Sequence, residues 1–219
     1  MKKIGLKIIL IGILAVCLCA CNKTELQTES DKEKNGKYYE YIKLIEQYEK
    51  EYTENDCKYD LVYFNEDSIP ELVAGVPGKF VGLYSIDQEG KLHTILEDWP
   101  YGSYGNQGYE FLPEEGMIRN INTDYDGLVV TTSYIKINQQ YQTDMYSSIL
   151  LQEGAKEEKD KEIKTQVDKY LEEFGGYFHN DISITKEEFM NQISEEKFEF
   201  LLGEMSATEV KEELSDLGR

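Results

Sequence analysis

Apolar residues change their spacing twice along this chain. Tyr38, Tyr41, Ile42, Ile45, Tyr48 and Tyr52 recur every three or four positions, which puts them on one face of a helix over 38–54. A tyrosine stripe of this kind can form a ligand surface, but the expectation is that it packs against a sheet. From residue 58 the period drops to two. Segments 58–64, 71–75, 79–86, 91–97, 117–122, 128–138 and 143–151 are rich in Val, Ile, Tyr, Thr and Leu and predict strands. Turn residues separate them at Asp87-Gln88-Glu89-Gly90, Asp126-Gly127 and Asn138-Gln139-Gln140. Loops this short join antiparallel neighbours, because a parallel crossover needs a dozen or more residues. The expectation is an antiparallel meander of six or seven strands.

The helical period then returns. Ile163, Val167, Tyr170, Leu171 and Phe174 share a face, and Gly175-Gly176 supplies a stop. A hairpin over 177–184 follows. Thr185-Lys186-Glu187-Glu188 and Ser206-Ala207-Thr208-Glu209 both match a capping box, with Phe189, Met190 and Ile193, then Val210, Leu214 and Leu217, as the faces to be buried. Helix, strands, helices is an α+β order, and residues 38–219 are read as one globular domain.

A different signal precedes the domain. Met1-Lys2-Lys3 and Lys7 form a positive start, and Ile8 to Val16 is an apolar run too short to span a bilayer. That pattern predicts a secretory signal peptide over 1–20. Leu18-Cys19-Ala20-Cys21 resembles the lipobox of bacterial lipoproteins. The resemblance implies cleavage before Cys21, a diacylglyceryl group on its sulfur, and anchorage to the outer face of the cell membrane. Two or three acyl chains hold a protein stably where one does not. Residues 21–37, polar and with Leu26 as the one apolar side chain after Cys21, read as a flexible tether.

Composition narrows the partners. The 219 residues carry a formal net charge of −20, which argues against nucleic acid and against a polybasic grip on anionic lipid. With 17 Tyr and 8 Phe the chain has ample material for a core. Once the signal is removed and Cys21 is lipidated, Cys57 is the one thiol left, so no intramolecular disulfide is expected; Cys57 reads as a small buried residue.

Candidate chemistry lies mainly in two stretches. Asn65-Glu66-Asp67-Ser68-Ile69-Pro70-Glu71-Leu72 sets alternating oxygen donors ahead of a Glu, as in loops that ring Ca²⁺. It resembles the first hairpin of a family of uncharacterised lipoproteins from Gram-positive gut bacteria, which reads roughly Asp-x-Asp-x-Asp-Gly-Ile-Pro-Glu-Leu. Asn65, Asp67 and Glu71 match and form a weak Ca²⁺ candidate, whereas Tyr63 and Ser68 replace the first Asp and the Gly. The expectation is therefore no metal and no cofactor, with Glu71 bonding turn amides and Pro70 on an edge strand. The Tyr101–Gly105 segment with Tyr109, and Tyr177-Phe178-His179-Asn180 ahead of Ile184–Phe189, extend the resemblance over roughly 38–200. It implies location and fold, and no activity.

The second stretch is glycine-rich and aromatic. Gly102, Gly105 and Gly108 fit no phosphate-binding fingerprint. Trp99, Tyr101, Tyr104 and Tyr109 suit either stacking on sugar rings or packing on the sheet. Asn122–Gly127 resembles the start of an EF-hand loop, but position twelve is Ser133, so a hairpin turn is expected. His93 and His179 fit no metal-ligand spacing, and no Gly-x-Ser-x-Gly occurs. No catalytic residue is assigned. These readings converge on a lipid-anchored extracytoplasmic binding module whose ligand is a peptide, glycan or envelope protein. The alternatives are a polysaccharide or envelope hydrolase using Asp/Glu acid–base chemistry, and a structural envelope lipoprotein.

Overall fold

The computed structural model describes residues 36–52, 56–102, 105–138, 140–153, 161–193 and 196–218; Cys21, the stretch read as a signal peptide and most of the stretch read as a tether lie outside them. Helix α1 runs Tyr39–Glu51 after a 3₁₀ turn at Gly36–Tyr38. Four strands follow: β1 Lys58–Val62, β2 Glu71–Val76, β3 Phe80–Ile86 and β4 Leu92–Pro100. Then come β5 Asn106–Leu112, β6 Met117–Asp124, β7 Val129–Ile137 and β8 Thr143–Leu151. Helix α2 (Lys161–Phe174), β9 (Gly176–His179), β10 (Ile182–Ile184), α3 (Lys186–Met190), β11 (Glu199–Phe200) and α4 (Ala207–Leu217) complete the order. The α+β class and the antiparallel meander hold.

The strands divide into two sheets, β1-β2-β3-β4 and β10-β9-β8-β7-β6-β5-β11. A twisted antiparallel sheet of this many strands splits into two packed layers readily. Here the chain turns the corner just after Pro100 and reaches β5 through the glycine-rich segment. Strand β5 was not legible as a strand, because Gly105 and Gly108 interrupt its alternation and its register against β6 shifts between Asn106 and Tyr109.

Period-two alternation becomes two buried faces in the first sheet. Leu72, Ala74 and Val76 of β2, with Phe80, Tyr84 and Ile86 of β3, pack under α1 and α4 through Tyr41, Ile45, Val210 and Leu214. Val73, Val81 and Leu83 point the other way and meet Tyr109, Phe111, Ile118 and Ile135 of the second sheet. All of β2 and β3 is buried as a result. The tyrosine stripe of α1 packs on this sheet as expected. The rings supply apolar area while the deepest hydroxyls find partners: Tyr41 donates to the carbonyls of Pro70 (3.1 Å) and Tyr84 (3.0 Å), and the Tyr48 and Tyr84 hydroxyls share a 2.6 Å bond.

Other expectations change. β2 is an interior strand, and Pro70 sits just before it, so its missing N–H costs the ladder nothing. On α2 only Val167 is buried, and Phe174 stays 46% exposed. Met190 and Leu217 are likewise exposed, because each lies at the end of its helix, beyond the layer that covers Phe189 and Leu214. Both capping boxes form in full, at Thr185/Glu188 and Ser206/Glu209. Among the described residues no helix is long and apolar enough to cross a membrane.

Candidate functional site

The acidic turn joins β1 to β2, and its oxygens are largely committed to its own backbone. The Asn65 side-chain oxygen accepts from the Asp67 amide at 2.7 Å, and Asp67 accepts from the Ile69 amide at 2.8 Å. Glu71 points inward and is 0% exposed. It accepts from the Phe64 amide (2.9 Å), the Asn65 side-chain amide (2.8 Å) and the Ser85 hydroxyl (3.2 Å). Burial pushes its carboxyl up to about 7, against three donated bonds that favour the charge. Asn65, Asp67 and Glu71 thus face amides and a hydroxyl. Among the described residues no three His, Cys, Asp or Glu side chains converge where they could hold a metal ion.

The same turn forms one wall of a cleft of about 590 Å³. The β5–β6 turn (Pro113–Gly116) and the β7–β8 turn (Asn138–Gln142) form the others. Backbone bonds hold the three walls together: Glu114 N to Tyr63 O at 3.0 Å, Gly116 N to Phe64 O at 2.8 Å, and Ile137 N to Gly116 O at 2.9 Å. The floor is apolar, from Phe64, Ile95 and Ile137. Carboxylates of Glu66, Asp67, Glu114 and Glu115 stand around it.

Tyr141 closes the β7–β8 side, in a strained left-handed conformation with φ of 59°. Asn138 stabilises this turn, its side-chain oxygen accepting from the amides of Gln140 (2.9 Å) and Gln142 (3.0 Å). The Tyr141 ring stacks on His93 with centroids 4.0 Å apart, and His93 is bonded to Asp87 at 2.9 Å. His93 and the Lys91 amide hold the Asp87 carboxyl below its usual range. Of these cleft residues, sequence analysis singled out Asn65 and Asp67 as candidate ligands and read Asn138 and Gln140 as a turn. Pro113-Glu114-Glu115-Gly116 is a turn signal, but without β5 it had no strand to end.

The aromatic loop lies at the other end of β5 and β6. Tyr109 is 4% exposed and belongs to the core between the sheets. Trp99 packs edge-on to it at 5.6 Å and Tyr101 stacks on it at 6.4 Å. Tyr109 therefore offers no face for a ligand, and Trp99 and Tyr101 are half-buried covers for it. Tyr104 lies outside the described residues. The glycines serve this packing: a Cβ on Gly105 would sit 2.3 Å from the Thr123 carbonyl oxygen, and one on Gly108 would meet the Tyr101 ring at 3.1 Å. Below the loop, Asn106, Asn120 and Asn122 bond one another, and Asn120 also donates to the Gly108 carbonyl.

The remaining motifs resolve into structure. Tyr125 and Asp126, with φ of 50° and 55°, make the β6–β7 hairpin turn, while Ser133 sits inside β7 opposite Asn120 and Ser147. His179 stacks on Tyr146 at 4.4 Å and bonds Asp144. Burial acts to raise Asp144, but His179, Asn180 and Tyr146 together hold it below its usual range. Cys57 is buried, and burial pushes its thiol up, which suits packing and not nucleophilic attack. No family model matches the chain, and no curated protein or solved structure matches it significantly.

Proposed function

We propose that this protein is a lipid-anchored binding module on the outer face of the cell membrane, and that the three-walled cleft is its ligand site. The cleft carries the reading. Its volume falls in the range of about 300–1,000 Å³ typical of ligand sites, and it combines an apolar floor with a few placed polar groups. Its walls are bonded to one another through backbone, so little ordering is left to oppose binding. The lipobox-like Leu18-Cys19-Ala20-Cys21 supports the anchor. A hydrolase using Asp/Glu acid–base chemistry would need a carboxyl group poised near neutrality and open to substrate. Glu71 is poised but sealed beneath Phe64 and Asn65.

Fragment screening of the full-length protein in a non-ionic detergent tests the site. Bound fragments should concentrate in the cleft and be lost in Gln140→Trp, which fills it from an exposed wall position. Fragments that leave the cleft empty would defeat the reading. Cys21→Ser tests the anchor: the variant should stay unprocessed or be released, and retention in membranes at the wild-type level with normal processing would remove the lipid from the proposal.

A further inference from the structure

Resting on that reading, we propose that the cleft takes a short peptide segment bearing a Lys or Arg side chain beside an apolar residue. The charge arrangement points there. Glu66, Asp67, Glu114 and Glu115 are exposed around the opening, no Lys or Arg lines it, and none of the four makes an ion pair among the described residues. Elsewhere the fold does neutralise carboxylates, as Arg119 does for Glu110 and Lys211 for Glu49. Four like charges around one opening repel one another, and a bound cation relieves that repulsion.

The floor selects what carries the cation. Ile137 and the edge of Ile95 present apolar surface over the buried Phe64, and the Tyr141 ring adds an aromatic wall. A bare metal ion or a fully hydrophilic amine leaves that surface wet. A lysine or arginine stem lies along it while its charged head stays at the rim. About 590 Å³ exceeds what one such side chain fills, leaving room for its apolar neighbour and the intervening backbone. Tyr141 is held in place by the capped turn and by His93, so the aromatic wall is set before the peptide arrives.

Calorimetric titration of the full-length protein in non-ionic detergent, at about 20 mM salt where screening is weak, compares three probes. They are the peptide Leu-Lys-Leu-Lys with blocked termini, the same peptide with both lysines acetylated, and butylammonium. The lysine peptide should bind at least about tenfold more tightly than either of the others, and weaken as salt rises. Glu114→Gln/Glu115→Gln should weaken it by about fivefold, as expected for two rim charges. Glu172→Gln/Glu173→Gln should not. That control removes the same charge from α2, whose Tyr170 packs on Tyr125 at the far end of β6.

Equal loss in both double variants would mean attraction to the whole acidic surface and overturn the inference. Equal binding of the acetylated peptide, abolished by Gln140→Trp, would overturn the cationic preference while leaving the cleft as a binding site. Butylammonium as tight as the peptide would overturn the peptide. Absence of any peptide binding would overturn the inference, with the fragment screen deciding separately whether the site stands.

Discussion

The two sheets use the same period-two pattern to opposite effect. In the first, β2 and β3 are buried along their whole length between two helices and the second sheet. In the second, β5 to β7 share that inner face, but β9 is half-buried throughout and Ile182 of β10 is 70% exposed. The same strand chemistry therefore makes a core in one place and an edge in the other. The cleft lies at the junction. Its acidic wall grows from the buried sheet and its other two walls from hairpin turns of the more open one.

The largest effect expected from this contrast is at Leu83, which fills the seam between the sheets. Leu83→Ala should cost about 2–5 kcal/mol in denaturant unfolding, as for buried leucines generally. Ile182→Ala should stay within about 0.5 kcal/mol. Comparable losses at the two positions would mean that the second sheet's margin is as cohesive as the seam.

Glu71 sharpens the contrast through pH. Its folded pKa, about 7, lies above the ordinary 4.5, so the native state holds a proton that the unfolded state releases. The folded protein therefore has its full contribution from this group below pH 4.5 and loses it as pH rises toward 7. The loss should reach roughly 3 kcal/mol at most. Glu71→Gln should flatten that part of the stability profile. Unchanged pH dependence in the variant, followed by denaturation from pH 4.5 to 8, would show that Glu71 titrates normally.

The caps provide a matched pair. Ser206 and Thr185 make the same capping box, but α4 packs on the buried sheet and α3 on the open one. Ser206→Ala should lower global stability by about 1 kcal/mol. Thr185→Ala should instead raise amide exchange locally across β9, β10 and α3, with a smaller change in the global midpoint. The smallest effect concerns Tyr59, whose buried hydroxyl has no nitrogen or oxygen partner among the described residues and lies against the weakly bonding Cys57 thiol. Tyr59→Phe should be neutral or slightly stabilising, because it removes a desolvated polar group. A loss of more than about 1 kcal/mol would mean that the hydroxyl has a partner after all.

Much of the candidate chemistry was visible in the residues, but its orientation was not. The Asn65–Glu71 stretch stands out by its oxygen spacing, and Glu71 bonds a backbone amide of the turn as expected, that of Phe64. Trp99, Tyr101 and Tyr109 are equally conspicuous, yet whether an aromatic faces ligand or core depends on what packs over it. Glu114, Glu115 and Tyr141 carried no ligand-binding signal, because a cleft made of three turns has no spacing in sequence.

By itself the sequence determined the local elements: the tyrosine face of α1, the alternating strands, the capping boxes of α3 and α4, and the hairpin turn around Asp126-Gly127. Each depends on residues within a few positions of one another, where periodicity, caps and φ preferences act directly. Only the tertiary structure decided that the meander folds over on itself after Pro100, that β2 is buried on both faces, and that Tyr109 is sealed while Tyr141 is presented. Those outcomes follow from which apolar faces meet, and residues as distant as Phe64 and Gly116 come into register only after both sheets have formed.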